Sequence, residues 1–193
     1  MRGDGLERAA SVIELRDGAR LQLRPLAAGD IEPLARFLAG LSAETRALSS
    51  FPGYDRAAAN ELCEAIGRYD KHRFVLIAPA GEVAALFEFS LDLPAADVAR
   101  YRAAGVMLDE RSDCRFGPTV ADGYQGRGAA SAAFPLLVER ARSLGQRRIL
   151  LWGGVLARNE RAVAFYAKQG FRRVGGFLTP EGEQALDMLL DLQ

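Results

Sequence analysis

The chain has 193 residues, 49% of them apolar, which can bury one sizeable core and favours a single domain over residues 1–193. Its 25 basic and 25 acidic side chains cancel, so neither nucleic acid nor a membrane surface is expected as a partner. Two distant cysteines, Cys63 and Cys114, and a single histidine, His72, cannot assemble the usual Cys/His zinc cage, so no metal is expected.

Residues 1–11 read as a loose arm. The opening Met1-Arg-Gly-Asp-Gly-Leu-Glu-Arg is not a charged-then-apolar leader, and no apolar run approaches the roughly 20 residues of a membrane span. A cytoplasmic protein is expected. Apolar and polar residues alternate over 19–26, a first strand ended near Pro25. Asp30 is placed to cap a helix whose apolar stripe is Ile31, Leu34, Phe37, Leu38 and Leu41. A second helix after Asp55 carries Leu62, Cys63 and Ile66. Residues 73–78 and 83–91, joined by a Pro-Ala-Gly-Glu turn, predict a hairpin. Residues 94–112 show no clean period.

A fourth strand follows over 114–121, interrupted in character by Gly117-Pro118. After it comes Gln125-Gly-Arg-Gly-Ala-Ala130, and then a helix to about Ser143. A fifth strand is predicted over 148–155, then a helix that begins after Asn159 and is capped by Gly170. Phe171–Phe177 and Leu186–Leu192 close the chain as an antiparallel pair, whose edges are compatible with pairing in a homodimer. The element order fits an α+β fold, a mixed three-layer α/β/α sandwich.

The turn at 125–130 lacks the Gly-Lys-Ser/Thr of a P-loop, and its Gly126-Arg-Gly128 is followed by Ala-Ala-Ser, so the GxGxxG dinucleotide fingerprint stops short. What remains is a strand-to-helix turn stripped of side chains. Such a turn suits a phosphate, because helix N-termini carry unpaired N–H groups and a positive dipole end.

Together with Asn159-Glu-Arg-Ala-Val-Ala-Phe-Tyr-Ala-Lys-Gln-Gly-Phe171, this turn resembles the GNAT superfamily of acyl-CoA-dependent N-acetyltransferases. Gln125 to Ala130 fits the Gln/Arg-x-x-Gly-x-Gly/Ala motif of that family, and the second segment its Asn-x-x-Ala-x-x-Phe-Tyr-x-x-x-Gly-Phe. The likeness is clear over residues 113–177. A weaker one, to the GNAT domains of bacterial protein lysine acetyltransferases, covers Leu23-Arg-Pro-Leu, Gly29-Asp30, Leu41 to Thr45 and Tyr69-Asp70.

The resemblance implies a central, mostly antiparallel sheet splayed between its fourth and fifth strands and flanked by helices. It implies acetyl-CoA as acyl donor, and a primary amine (small molecule or protein lysine) as acceptor by direct attack in a ternary complex. Gln125, Gly126, Arg127, Gly128, Ala129 and Ala130 would hold the coenzyme pyrophosphate, and a Glu at Gly128 should abolish binding. The pantetheine arm would pair with the strand at Pro118 to Val120, with Val120 a binding residue and Asn159 a hydrogen-bonding one. Tyr166 would be the general acid, a phenol with an ordinary pKa of about 10 that protonates the departing thiolate.

Two departures stand out. The lysine acetyltransferases place a glutamate ten residues before the Gln of the turn, and here that residue is Arg115. Asp113, Glu88, His72 or a water could instead take the proton of the amine. Pro118, lacking an N–H, cannot donate to the thioester carbonyl. A second reading is therefore a non-catalytic acyl-CoA-binding or sensor module of the same fold. Cys114, on the same strand, is a weaker candidate as a nucleophile.

Overall fold

A computed structural model describes residues 10–49, 51–66 and 70–192. The fold is mixed α+β, a large and mostly antiparallel sheet flanked by helices. By internal contacts the chain forms two compact units, residues 1–88 with 118–136, and residues 89–117 with 137–193. The expected arm lies mostly outside the described residues, but its last residue, Ser11, already belongs to a strand.

In the first unit, β1 (Ser11–Glu14) pairs antiparallel with β2 (Arg20–Pro25), and β2 with β3 (Lys71–Ile77). β1 was not legible in the sequence, because Ser-Val-Ile-Glu is too short to set a period. β3 turns back through Pro79–Glu82 into β4 (Val83–Ser90), the Ala78 N–H donating to the Glu82 carbonyl at 2.9 Å. The expected hairpin is present. Helix α1 (Ile31–Gly40) buries Leu34, Phe37 and Leu38 as its period requires. They pack with Ala59 and Leu62 of α3 (Arg56–Glu64) and with Val75 and Leu86 of the sheet.

Caps explain where these helices start. The Asp55 Oδ1 accepts the Ala58 N–H at 2.9 Å, as a capping carboxylate should. Asp30 holds the cap position of α1 but makes no side-chain cap bond. Its carboxylate turns instead to Arg24, accepting from Nη1 and Nη2 at 2.7 Å each, and from the Ala27 N–H at 2.8 Å. Ile66 lies beyond α3 and is 41% exposed, so it is not on the helix's buried face. A further short helix, α2 (Ala43–Ala47), was not anticipated; Ser42 caps it, accepting from the Thr45 N–H.

In the second unit, the unreadable stretch contains α4 (Ala95–Ala103). Its pattern is hidden because it buries an acid and a phenol, Asp97 and Tyr101, rather than an apolar stripe. β5 (Asp113–Val120) begins here, and its Asp113–Phe116 pair in parallel with Arg148–Leu151 of β6 (Arg148–Leu151). That pairing stops at Phe116, although β5 runs on to Val120, which is the splay the family resemblance implied. Gly117 and Pro118 sit within β5 and do not interrupt it.

The predicted strand over 148–155 is broken. Trp152-Gly153-Gly154 separates β6 from β7 (Val155–Leu156), and both glycines have positive φ. A Cβ at Gly154 would come within 2.9 Å of the Leu186 carbonyl oxygen, so the close approach of β9 (Gln184–Asp191) requires glycine. β6, β7 and β8 (Arg172–Leu178) all pair antiparallel with β9.

The second unit is pinned by a buried charge cluster. Arg100 of α4 donates Nε and Nη2 to the Asp187 carboxylate of β9, both at 3.0 Å, and Nη2 to Asp97 at 2.9 Å. Asp187 and Asp97 are 3% and 6% exposed. Removing the guanidinium would leave two buried carboxylates without their cation, a loss of about 3–5 kcal/mol. Arg100→Ala is therefore expected to lower unfolding stability in urea by that order, and a loss under about 1 kcal/mol would show the cluster to be ornamental.

Candidate functional site

The strand-to-helix turn lies in the first unit. After β5 the chain makes a 3-10 turn over Asp122–Tyr124, then passes through Gln125–Gly128 into α5 (Ala129–Ser143). Gly126 and Gly128 adopt φ of 76° and 89°, the left-handed region that costs other residues roughly 1–2 kcal/mol. The first backbone bond into α5 is from the Ala132 N–H to the Gly128 carbonyl, at 2.9 Å. The amides of Ala129, Ala130 and Ser131 precede it and have no helical carbonyl to reach.

Side chains from elsewhere in the unit hold this turn. Asp122 accepts from the Ser42 N–H at 2.9 Å, from Ser42 Oγ at 2.7 Å and from Thr45 Oγ1 at 2.7 Å. These bonds, that from the Ser42 amide foremost, hold its carboxyl below the ordinary carboxylate value. Gln125 Nε2 donates to Thr45 Oγ1 at 3.0 Å and to the Val120 carbonyl at 3.1 Å. Arg127 Nε donates to Asp17 Oδ2 at 2.7 Å, and the Arg127 guanidinium lies 4.7 Å from the Tyr124 ring centroid. Ser42, Thr45 and Asp122 were missed as partners of the turn. The Ser-x-x-Thr that starts α2, Ser42 at its cap and Thr45 in its first turn, was the available signal, since a helix cap has hydroxyls to spare.

Asn159 and Tyr166 lie in the second unit, on α6 (Glu160–Lys168) and its cap. Asn159 Oδ1 accepts the Ala162 N–H at 3.1 Å and so starts the helix. Its amide Nδ2 is not used in that bond. Tyr166 is 6% exposed and packs edge-on between Phe165 and Phe171, with centroids at 5.1 and 5.2 Å. Burial pushes its phenol up from the ordinary tyrosine value, so it stays protonated throughout the neutral range.

The proton-acceptor candidates separate clearly. Asp113 is fully buried and accepts from Arg148 Nε at 2.7 Å, Arg148 Nη2 at 2.5 Å and the Asp109 N–H at 2.7 Å, a structural anchor. Glu88 accepts from Arg73 Nε at 2.7 Å, and burial raises its carboxyl against the opposing pull of Arg73. His72 is half-buried on β3. Arg115 is 6% exposed: Nη2 donates to Asp92 at 2.6 Å and to Ser90 Oγ at 3.2 Å, and its guanidinium stacks 4.6 Å from the Trp152 centroid. Cys114 is fully buried and its thiol is pushed up to about 12 by that burial, so it is not a nucleophile at neutral pH.

The sequence profile of the acetyltransferase (GNAT) family matches residues 43–171. The chain belongs to the GNAT family. Among solved structures, the GNAT domain of PAT from S. lividans is similar with a TM-score of 0.74 at 24% identity, covering 95% of this chain and 97% of that one. A ribosomal-protein-S5-alanine acetyltransferase from Vibrio fischeri gives 0.70 at 14% identity, covering 90% and 93%. A spermidine/spermine N-acetyltransferase from Vibrio cholerae gives 0.61 at 19%, covering 89% and 95%. At these identities the GNAT neighbours show a shared fold alone. No curated protein sequence matches this chain.

Among the described residues, no helix is long and apolar enough to cross a membrane, and no group of three or more His, Cys, Asp or Glu side chains could hold a metal. The turn fits a diphosphate: its amides are unspent, and glycine removes the side chains above them. A Cβ at Gly128 would meet Arg16 Nε at 3.3 Å, in a backbone conformation that L side chains rarely adopt. Gly128→Ala is expected to destabilise the protein by about 1–2 kcal/mol and to weaken coenzyme A binding. Unchanged stability and affinity in thermal and calorimetric titrations would count against the turn's strained geometry.

Proposed function

We propose that this protein is an N-acetyltransferase that moves an acetyl group from acetyl-CoA to a primary amine by direct attack in a ternary complex. The observation that carries the reading is the left-handed Gly126/Gly128 turn with the unspent amides of α5. Gln125 to Ala130 bind the pyrophosphate, Arg127 with a charge already shared with Asp17. Asn159 Nδ2 and the β5 backbone at Val120 hold the pantetheine arm. Acetyl-CoA supplies the activated thioester; residues 1–193 act as a single acyltransferase domain.

Tyr166 gives its proton to the departing thiolate. Its burial supports this, because the acid form persists well above neutrality. Glu88 accepts the proton of the amine, directly or through water. Support comes from its raised carboxyl and from Arg73, which holds the carboxylate in one orientation. The acceptor is a small amine or a protein lysine. The reading is of a cytoplasmic enzyme, with which the free thiols Cys63 and Cys114 are in keeping. A homodimer would use the outer edge of β8, whose other edge pairs with β9.

One observation favours a second reading, a non-catalytic acyl-CoA-binding or sensor module. Arg115, at the position where the lysine acetyltransferases carry a glutamate, is committed to Asp92 and Ser90. Thiol release measured over a panel of amines, peptides and proteins separates the two. Turnover with any of them supports the enzyme; tight coenzyme binding with none supports the sensor.

Two outcomes follow for the enzyme. Tyr166→Phe should lower kcat by about 10²–10⁴ with little change in coenzyme affinity. The wild-type rate should show no alkaline loss from Tyr166 below about pH 10, since its folded pKa is raised above that of a free phenol. Full turnover by the variant would remove the acid role. Glu88→Gln should cut kcat by about 10²-fold or more. In the wild type, the acid limb of the rate profile should fall at a pH above the ordinary carboxylate range, because the raised group reprotonates earlier. An unchanged rate in Glu88→Gln would reject the base.

A further inference from the structure

The turn between β1 and β2 reaches the glycine turn from outside the sequence motif. The Leu15 N–H donates to the Ala19 carbonyl at 2.8 Å, and the Gly18 N–H to the Leu15 carbonyl at 3.0 Å, closing a tight turn that presents Arg16 and Asp17. Asp17 takes Arg127, with Nε and Nη2 both at 2.7 Å from Oδ2. Arg16 lies across Gly128: a Cβ there would meet its Nε, Cγ and Cδ at 3.3, 3.4 and 3.5 Å.

The two arginines differ in what their charge is spent on. Arg127, the motif residue, is neutralised by Asp17 and lies over the Tyr124 ring. Tyr124 is itself hydrogen-bonded to Glu82. Arg16 is exposed and, among the described residues, has neither a hydrogen-bond nor an ion-pair partner. The uncompensated cation beside the turn thus comes from the β1–β2 hairpin and not from the motif.

Resting on the acetyl-CoA reading above, we infer that Arg16 is a coenzyme-binding residue that contacts the diphosphate over Gly128, while Arg127 chiefly fixes the hairpin to the turn. A guanidinium meeting phosphate oxygens forms charge-assisted bonds that a backbone amide alone does not match. The contact also accounts for the docked hairpin. Asp17 grips Arg127 and thereby sets Arg16 above the glycine that must stay bare. Being exposed and unpaired, Arg16 can be truncated without breaking a contact that stabilises the fold.

Calorimetric titration of the full chain with coenzyme A, 3′-dephospho-coenzyme A and pantetheine tests this. Arg16→Ala should weaken coenzyme A and its dephospho form equally, by about tenfold, leave pantetheine unaffected and keep the wild-type melting temperature. Arg127→Ala should weaken coenzyme A less than Arg16→Ala does, and Arg16→Lys should recover part of the loss. Wild-type affinity in Arg16→Ala would overturn the inference, as would a loss confined to the 3′-phosphorylated form. A wild-type protein that binds none of the three would instead remove the acetyltransferase reading itself, which is a separate result.

Discussion

A helix that starts without spare carbonyls must leave its first amides to solvent or to a ligand, and the start of α5 is built to keep them available. Gly126 and Gly128 take left-handed backbone conformations and contribute no side chain of their own on the approach to Ala129. An anion placed there meets several converging N–H dipoles and the positive helix end together. The sequence requirement is narrow. Any L residue at Gly128 would meet both an unfavourable φ and the Arg16 side chain.

Such a turn is costly to hold, and the rest of the first unit holds it. Asp122 and Gln125 fasten it to Ser42 and Thr45, and Asp17 fastens it to the β1–β2 hairpin. Each such bond is worth little by itself at an exposed surface. Several acting together fix a geometry that no one of them would. The pairing of β5 with β6 ends at Phe116, which leaves the backbone from Gly117 to Val120 without that partner.

Much of this was legible in the residues. Long periodic segments such as α1 and the β3–β4 hairpin appear where alternation or helical spacing predicts them, because burial of one face dominates their energetics. The Gln-Gly-Arg-Gly-Ala-Ala turn was legible because its backbone demands glycine. β1 and α2 were not, since four or five residues carry too little pattern and both depend on contacts distant in sequence. α4 was hidden by its buried Asp97 and Tyr101: Asp97 shares Arg100 with Asp187, and Tyr101 donates to the Met188 carbonyl, both more than 80 residues on. The break at Gly153-Gly154 depends on β9, which strand periodicity cannot reveal. The roles of Asp17 and Arg16 at the turn were beyond reach for the same reason. A loose-arm composition does not announce that the next residues form a docked hairpin.

Arg115, standing where the lysine acetyltransferases carry an acid, bears on which group would serve as the proposed base and leaves the glycine turn intact. Arg115 is held by Asp92, Ser90 and Trp152. Arg73 and Glu88 form a separate, largely buried pair on β3 and β4. In the proposed enzyme, coenzyme binding and amine chemistry are therefore separable, and the first is the foundation of the second. Its most direct test is an amide-resolved NMR titration with coenzyme A. The account predicts the largest shifts at the N–H groups of Gly126 to Ser131, whereas saturation that leaves those amides unmoved would contradict it.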